Sequence, residues 1–141
     1  MADVVQEIME DMVSEFDDMA KKKMFTAAEI KEIVKKRRGF EYKLARRESK
    51  KTDYVRCIQY EGALDKLRIL RKKRMGIGKK SKASIGDYAI QKRINFTYDR
   101  MLRKWKGDTE LWKTYIAHCM EQKATKMLST AFGRALQYKP K

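Results

Sequence analysis

Hydrophobic residues recur along this chain every three or four positions, which is the spacing of amphipathic α-helices. No segment sustains the alternation of apolar and polar residues that a half-buried strand shows. The single proline, Pro140, lies near the end of the sequence, and only seven glycines are present, so the tight turns of sheet-rich folds are scarce. The pattern therefore predicts an all-α protein with six helices.

The first two predicted helices have opposite charge. Residues 3–20 contain seven acidic and no basic residues, and their apolar stripe comprises Val4, Val5, Ile8, Met9, Met12, Val13, Phe16 and Met19. Thr26 and Glu29 have the spacing of a capping box, so they predict the start of a second, basic helix. Gly39 inside that helix has two open interpretations: an ordinary surface position, or the close approach of a neighbouring helix.

Four further helices are predicted from caps and breaks. The predicted N-terminal residues of the third to sixth helices are Thr52 or Asp53, Ser84 (with Asp87 in a capping box), Asp108 and Thr125. Residues 76–83 contain two glycines and predict a basic connection between the third and fourth helices. Gly107 is expected to end the fourth helix, and Pro140 the sixth.

An internal repeat relates the fourth and sixth helices. INFTYDRML (94–102) superposes on LSTAFGRAL (128–136) at an offset of 34 residues, and RGFEYKL (38–44) is a weaker copy. The preceding helices also align, although Cys57 stands where the second repeat has Tyr115. This period is typical of helix–turn–helix units that stack into solenoids. The residues expected to set repeat packing are Tyr98, Leu111, Trp112, Tyr115, Phe132 and Leu136.

The aromatic residues of these repeats allow two interpretations. Together with Trp105, they fit a core between stacked helices, and they also fit a groove for a partner helix. In either case an unfinished array leaves one apolar face open, here expected on the fifth and sixth helices.

Several blocks of the sequence resemble known motifs. LWKTYIAHC (111–119) and AFGRALQYKP (131–140) resemble the half-a-tetratricopeptide (HAT) motif, which has Trp and Tyr on its first helix and aromatic-x-Arg-Ala-Leu, then Pro, on its second. Across nearly the whole chain, the sequence resembles the U-three small nucleolar RNA-associated protein six family. The matching blocks are MFTAAEIKEIVKKRRGFEYKLARR, DYVRCIQYEGALDKLRILRKKRMGI and WKGDTELWKTYIAHC.

This resemblance implies a fold and a set of partners. The expected fold is a HAT- or tetratricopeptide-like solenoid of antiparallel helical pairs, divided into an N-terminal pair (1–50), a first HAT-like pair (51–107) and a second repeat (108–141). The expected role is in the nucleolus, in the UtpB subcomplex of the small-subunit processome, during maturation of pre-ribosomal RNA. Implied partners are other UtpB and processome subunits, including WD-repeat propeller proteins, and U-three small nucleolar RNA or pre-ribosomal RNA. Members of the family are several times longer, so a fragment or a short version is expected.

Charge supplies candidate binding residues. The net charge is +16 although all charged residues within 1–20 are acidic, so the rest of the chain is strongly basic. This basic part is expected to attract polyanions or an acidic protein. The basic runs KKRR and RKKR have three open interpretations: contacts with phosphate, a nuclear import signal, or a solvated face. The candidates for phosphate contact are Lys35, Lys36, Arg37, Arg38, Arg46, Arg47, Arg71, Lys72, Lys73, Arg74, Lys79 and Lys80.

Residues suited to catalysis are few. His118 is the only histidine. Cys57 and Cys119 are too few for a disulfide framework, and even together with His118 they are too few for a zinc site with four ligands. GIGKKS (76–81) lacks the first glycine of a phosphate loop. We therefore expect no enzyme, no cofactor and no metal, in a soluble intracellular protein without a secretory signal or a membrane span.

Two functions from different classes fit these observations. The first is a scaffold that docks on processome subunits, and the second is a stand-alone basic protein that binds RNA or DNA. Tight, sequence-selective binding of nucleic acid by the isolated chain would favour the second function.

Overall fold

The computed structural model describes residues 2–74, 85–122 and 125–138. Within these ranges the chain forms seven α-helices and no strand, which confirms the predicted all-α class. The connection over 76–83, the predicted cap at Ser84 and the stop at Pro140 lie outside the described residues. The helices are α1 (Ala2–Glu10), α2 (Val13–Lys21), α3 (Ala27–Leu44), α4 (Lys51–Arg74), α5 (Ile85–Lys104), α6 (Thr109–Glu121) and α7 (Thr125–Tyr138).

The prediction of one continuous helix over residues 3–20 is wrong. The chain makes a tight turn at Asp11 and Met12, where the Met12 amide bonds to the Met9 carbonyl three residues back rather than four. The turn keeps one face directed inward, since Val5, Met9, Met12, Phe16 and Met19 are all buried. The other half of the predicted stripe faces outward, because Val4 and Val13 are exposed.

The end of α2 is closed by a lysine in the left-handed region. Lys23 has φ 57°. Its amide bonds to the Ala20 carbonyl, and the Met24 amide bonds to the Met19 carbonyl. These two bonds form a Schellman motif, whose left-handed position is usually a glycine. The motif turns the chain so that Met24 and Phe25 are buried before α3 begins.

Local capping of α3 and α6 follows the predictions. Thr26 Oγ1 accepts from the Glu29 amide and Glu29 Oε1 accepts from the Thr26 amide, which completes the predicted capping box of α3. Asp108 Oδ1 accepts from the Leu111 amide and caps α6, also as predicted.

The start of α4 differs from the prediction. The helix begins at Lys51, and Asp53 lies in its first turn, where Oδ2 accepts from the Lys50 amide. Neither Thr52 nor Asp53 is therefore the capping residue. The predicted start was too late because Asp53 lies inside the helix and its carboxylate accepts a hydrogen bond from the amide three residues earlier.

The chain divides into two compact units, residues 1–97 and 98–141, and α5 contributes to both. In the first unit, α3 is the central element and packs against α1, α2 and α4. In the second unit, α6 packs against α7. Gly39 lies on the surface, since a Cβ built there meets no atom within 4 Å, so the close approach of another helix is not observed. No helix in the described ranges is both long and apolar enough to cross a bilayer.

Candidate functional site

The basic residues of α3 and the following turn lie mostly on the surface. Lys35, Lys36 and Arg38 are exposed on α3, and Arg46 and Arg47 are exposed beyond its end. Lys35, Lys36 and Lys43 line a shallow depression over Gly39, where the missing side chain leaves the helix backbone low. Glu32 also lines this depression, and with three lysines to one glutamate its net charge is positive and suited to attract an anion.

Arg37 departs from this pattern, although it stands inside the same basic run. Its side chain is only 1% exposed, and it forms two hydrogen bonds with Glu61 of α4. The distances are 2.9 Å from Nε to Oε2 and 2.6 Å from Nη2 to Oε1. Arg37 therefore faces the protein interior, and the structure removes it from the residues that can reach a phosphate group.

The remaining candidates lie on α4 or in the following segment. Lys73 and Arg74 are exposed at the end of α4, whereas Arg71 and Lys72 are half-buried. Arg71 is held by hydrogen bonds to Met24 and Glu29 within the chain. Lys79 and Lys80 lie outside the described residues.

Arg37 belongs to a buried network of charged side chains that joins α3, α4 and α5. Arg93 of α5 bonds to Glu41 of α3 through Nη2 at 2.9 Å and to Glu61 through Nε at 3.3 Å. Two arginines and two glutamates thus share one site, and all four are almost completely buried. Because the charges balance and the pairs are in hydrogen-bonding geometry, the network offsets much of the cost of removing these charges from water.

Sequence reasoning missed this network because charged residues were assigned to the surface. The signal that could have revealed it is spacing: Arg37 and Glu41 continue the inward face of α3 between Ile33 and Leu44 at intervals of three and four residues. Glu61 continues the inward face of α4 in the same way, between buried Cys57 and Asp65. Charged residues on the apolar face of two helices predict paired burial.

The network also fixes which helices can pack together. A buried guanidinium left without its carboxylate is costly, so a shift of α4 or α5 by one turn would leave charges unpaired. Asp65 adds a second connection at the same interface, since its carboxylate accepts from Arg68 on α4 and from Gln91 on α5. These contacts hold α3, α4 and α5 in register within the first unit.

Arg71 links the end of α4 to the start of α3. Its guanidinium donates to both carboxylate oxygens of Glu29, at 2.8 and 2.6 Å, and to the carbonyl of Met24 at 2.9 Å. It also lies over the ring of Phe25, 5.5 Å from the centroid. The hydrogen bonds from the Arg71 side chain and the Thr26 amide lower the pKa of Glu29 to about 2.

We expect the ion pair between Glu29 and Arg71 to make the stability of the fold depend on pH in the acid range. The pKa of Glu29 is lower in the folded chain than its usual 4.5, so its contribution is complete above pH 4.5 and is lost as the pH falls towards 2. Glu29→Gln should cost about 1 kcal/mol at pH 7, after allowing for solvent screening of a partly exposed pair, and progressively less below pH 4.5. Glutamine retains the oxygen that caps Thr26, so the variant isolates the loss of charge.

Urea denaturation of both chains from pH 7 to pH 3 measures this difference. Glu32→Gln is the matched control, because Glu32 is exposed on the same helix and its variant should follow the wild type at every pH. A constant difference between Glu29→Gln and the wild type across the range would contradict the assigned ion pair.

The two cysteines and the histidine do not form a reactive cluster. Cys57 and Cys119 are both buried free thiols, and burial raises the pKa of each. Cys57 instead accepts a hydrogen bond from Arg93 Nη2 at 3.7 Å. His118 is half-buried, with its ring centroid 5.3 Å from that of Tyr98. Across the ranges that the structure describes, no three His, Cys, Asp or Glu side chains are grouped to hold a metal ion.

The second unit is organised around Trp112. This side chain is buried, and its indole N–H donates to the Lys106 carbonyl at 2.9 Å. The guanidinium of Arg134 on α7 lies 5.4 Å from the centre of the Trp112 ring and donates to Asp99 of α5 at 2.7 Å. Arg134 therefore connects α5, α6 and α7 within this unit.

The other residues predicted for repeat packing occupy different environments. Tyr98 and Tyr115 are buried, with ring centroids 5.0 Å apart, and Leu111 is half-buried. Leu136 is 55% exposed, so in this chain it contributes little to the core. The structure describes the backbone of Phe132 but not its side chain.

Comparison with known proteins gives consistent matches over this chain. Residues 9–93 match the family described as U3 small nucleolar RNA-associated protein 6. The chain is 41% identical over 140 residues to U3 small nucleolar RNA-associated protein 6 of Schizosaccharomyces pombe, covering 99% of this chain. It is 34% and 33% identical over 136 residues to the homologues of Homo sapiens and Mus musculus, each covering 96% of this chain.

The chain spans only part of the length of these relatives. The match covers 28% of the Schizosaccharomyces pombe protein and 22% of each mammalian homologue. The names of all three describe association with a small nucleolar RNA and do not mention a catalysed reaction.

Proposed function

The chain belongs to the U3 small nucleolar RNA-associated protein 6 family, and from this premise we propose that it acts as a helical scaffold module in the small-subunit processome. Its task would be to dock on other subunits during processing of pre-ribosomal RNA and assembly of the small ribosomal subunit. The observation that carries the proposal is the 41% identity to a U3-associated protein over 99% of the chain.

The structure supports a docking role through its helical surfaces. In the second unit, α6 packs against α7, and Met120 and Leu136 expose apolar side chains on these helices. We propose that α6 and α7 form one HAT-like repeat and that α4 with α5 forms the preceding one. A further repeat or a partner helix would cover the exposed apolar positions, as in other stacked arrays.

The proposed partners follow from the family. They are other UtpB and processome subunits, including WD-repeat propeller proteins, in the nucleolus. U3 small nucleolar RNA or pre-ribosomal RNA would lie near the basic side of α3 and α4, where exposed lysine and arginine side chains are concentrated.

Affinity purification tests the scaffold proposal. The chain, carrying a tag, would be recovered from nucleolar extract after nuclease treatment, and its companions identified by mass spectrometry. We expect other processome subunits to be enriched despite the loss of RNA, because docking is through protein surfaces. Recovery without any other processome subunit would contradict the proposal.

A stand-alone function in binding RNA or DNA is the second candidate. The lysines around Gly39 favour it, because Lys35, Lys36 and Lys43 surround a depression open to solvent. Contacts of this kind are with phosphate, so they bind without sequence preference and weaken with salt.

A salt titration with single-stranded RNA separates the two candidates. The triple variant Lys35→Ala, Lys36→Ala and Lys43→Ala should bind more weakly and lower the salt slope by about 0.7 for each phosphate that a lysine no longer neutralises. Lys113→Ala is the control, since Lys113 is exposed in the second unit beside Glu110. Tight, sequence-selective binding by the isolated chain would favour the stand-alone function over the scaffold.

A further inference from the structure

A cleft in the first unit lies between the α1–α2 segment and α5. Its apolar lining comes from Ile8 and Met12 on one side and from Ala89 and Phe96 on the other. Its volume of about 200 Å³ exceeds the roughly 150 Å³ of an engineered cavity that admits benzene, so one amino-acid side chain fits inside. Phe96 is 42% exposed at the rim, where an entering side chain would meet it.

Glu15 lines this cleft in an unusual environment. Its side chain is only 7% exposed, yet it forms no hydrogen bond or ion pair with any of the described residues. Burial raises the pKa of its carboxyl group, and the nearby positive charges of Lys92, Arg37 and Arg93 reduce that effect without reversing it. Burial therefore makes the charged form of Glu15 less favourable, and a cation bonded to its carboxylate would stabilise that form.

One nitrogen of the Arg93 side chain also lacks a hydrogen-bond partner among the described residues. Arg93 lines the cleft, and its Nη1 is buried without a hydrogen bond in the part of the chain that the structure describes. The cleft therefore presents an acceptor at Glu15 beside an apolar wall. Native chains seldom retain a buried donor without a partner.

We propose that this cleft receives an arginine or lysine side chain from a partner protein. The aliphatic stem would lie against Ile8, Met12 and Phe96, and the cation would bond to Glu15. One basic side chain thus supplies an apolar stem and a donor together.

Charge complementarity selects this occupant. Asp11 and Glu15 line the cleft, and residues 1–20 contain seven acidic residues and no basic one, so this face attracts a cation. Arg37 and Arg93 also line the cleft, and their charges are offset in part by their ion pairs with Glu41 and Glu61. Lys92 is the remaining cation of the cleft, and it is exposed.

Two-dimensional NMR titration of the 141-residue chain with small probes tests the proposal. The probes are N-acetyl-arginine N-methylamide, N-acetyl-lysine N-methylamide and, as the uncharged control, N-acetyl-norleucine N-methylamide. We expect shifts at Ile8, Met12 and Phe96 with a dissociation constant on the order of 1–10 mM for the basic probes. Norleucine amide should bind about tenfold more weakly.

Variants then assign the binding to Glu15. Glu15→Gln should weaken the basic probes about tenfold and raise the melting temperature, because the buried charge is removed. Glu7→Gln, an exposed position on α1, should leave both properties unchanged. Equal binding of norleucine amide, or unchanged binding by Glu15→Gln, would overturn the proposal.

Binding of a basic side chain in the cleft rests on the proposed docking role in one respect: the side chain is taken to belong to a partner protein. Probe binding is measured without that protein, so recovery of no processome subunit would remove the scaffold role and leave the cleft result standing. Loss of probe specificity would remove the cleft and leave the scaffold role.

Discussion

Arg93→Ala is expected to lower the free energy of unfolding by about 3–5 kcal/mol, which is the usual cost of removing one partner from a buried ion pair. Arg93 joins Glu41 at 2.9 Å and Glu61 at 3.3 Å. Its removal leaves Glu41 without that bond and Glu61 with Arg37 alone. Urea denaturation followed by circular dichroism measures the change, and the melting temperature should fall on the order of 10 °C.

Two further variants test the cause of this loss. Arg103→Ala is the control, because Arg103 pairs with Asp99 on the exposed surface of the same helix, and it should change stability by less than about 0.5 kcal/mol. Simultaneous replacement of Arg37, Glu41, Glu61 and Arg93 by apolar residues of similar volume should be neutral or stabilising by about 1–4 kcal/mol. If Arg93→Ala were as mild as Arg103→Ala, the network would not hold these helices.

The starts of α3 and α6 could be predicted because their capping signals are local. Thr26 and Glu29 form a capping box within four residues, and Asp108 caps the amide three residues later, so no distant contact decides either start. Helical periodicity is equally local, and it identified the all-α class. The family could also be recognised from sequence, because its blocks extend through helices and turns alike.

The buried charges could not be predicted in the same way. Within the run KKRR, Arg37 has the same chemistry as Arg38, but Arg37 is buried against a carboxylate 24 positions away on α4, whereas Arg38 is exposed. That choice depends on how α3 and α4 pack, which no local pattern states. A phosphate-binding interpretation of the whole run therefore includes one residue whose role is inside the fold.

Which apolar face of residues 3–20 turns inward also depends on tertiary packing. Val4 and Ile8 define one apolar face of residues 3–20, and Val5 and Met9 define the adjacent one. The turn at Asp11 and Met12 directs the second of these faces inward. Either face satisfies the periodicity, so only the packing of α1 and α2 on α3 could decide between them.

Trp112→Ala should destabilise the second unit by about 3–5 kcal/mol, because a buried indole leaves a cavity that the surrounding helices cannot fill. The variant also removes the ring under Arg134 and the hydrogen bond to Lys106. Trp112→Phe retains an aromatic ring and should cost less, about 1–2 kcal/mol, for the missing indole donor and the smaller volume. The order of the two costs separates packing from hydrogen bonding.

Met120→Ala supplies the matched control on α6, because Met120 is 59% exposed and its truncation should change stability by less than about 0.5 kcal/mol. Amide hydrogen exchange assigns any destabilisation to its place in the chain. In Trp112→Ala, exchange should accelerate in α6 and α7, which pack against each other, since Trp112 of α6 contacts Arg134 of α7. Unchanged protection of α7 in this variant would mean that Trp112 does not hold the two helices together, and the pairing of α6 with α7 as one repeat would be without its main support.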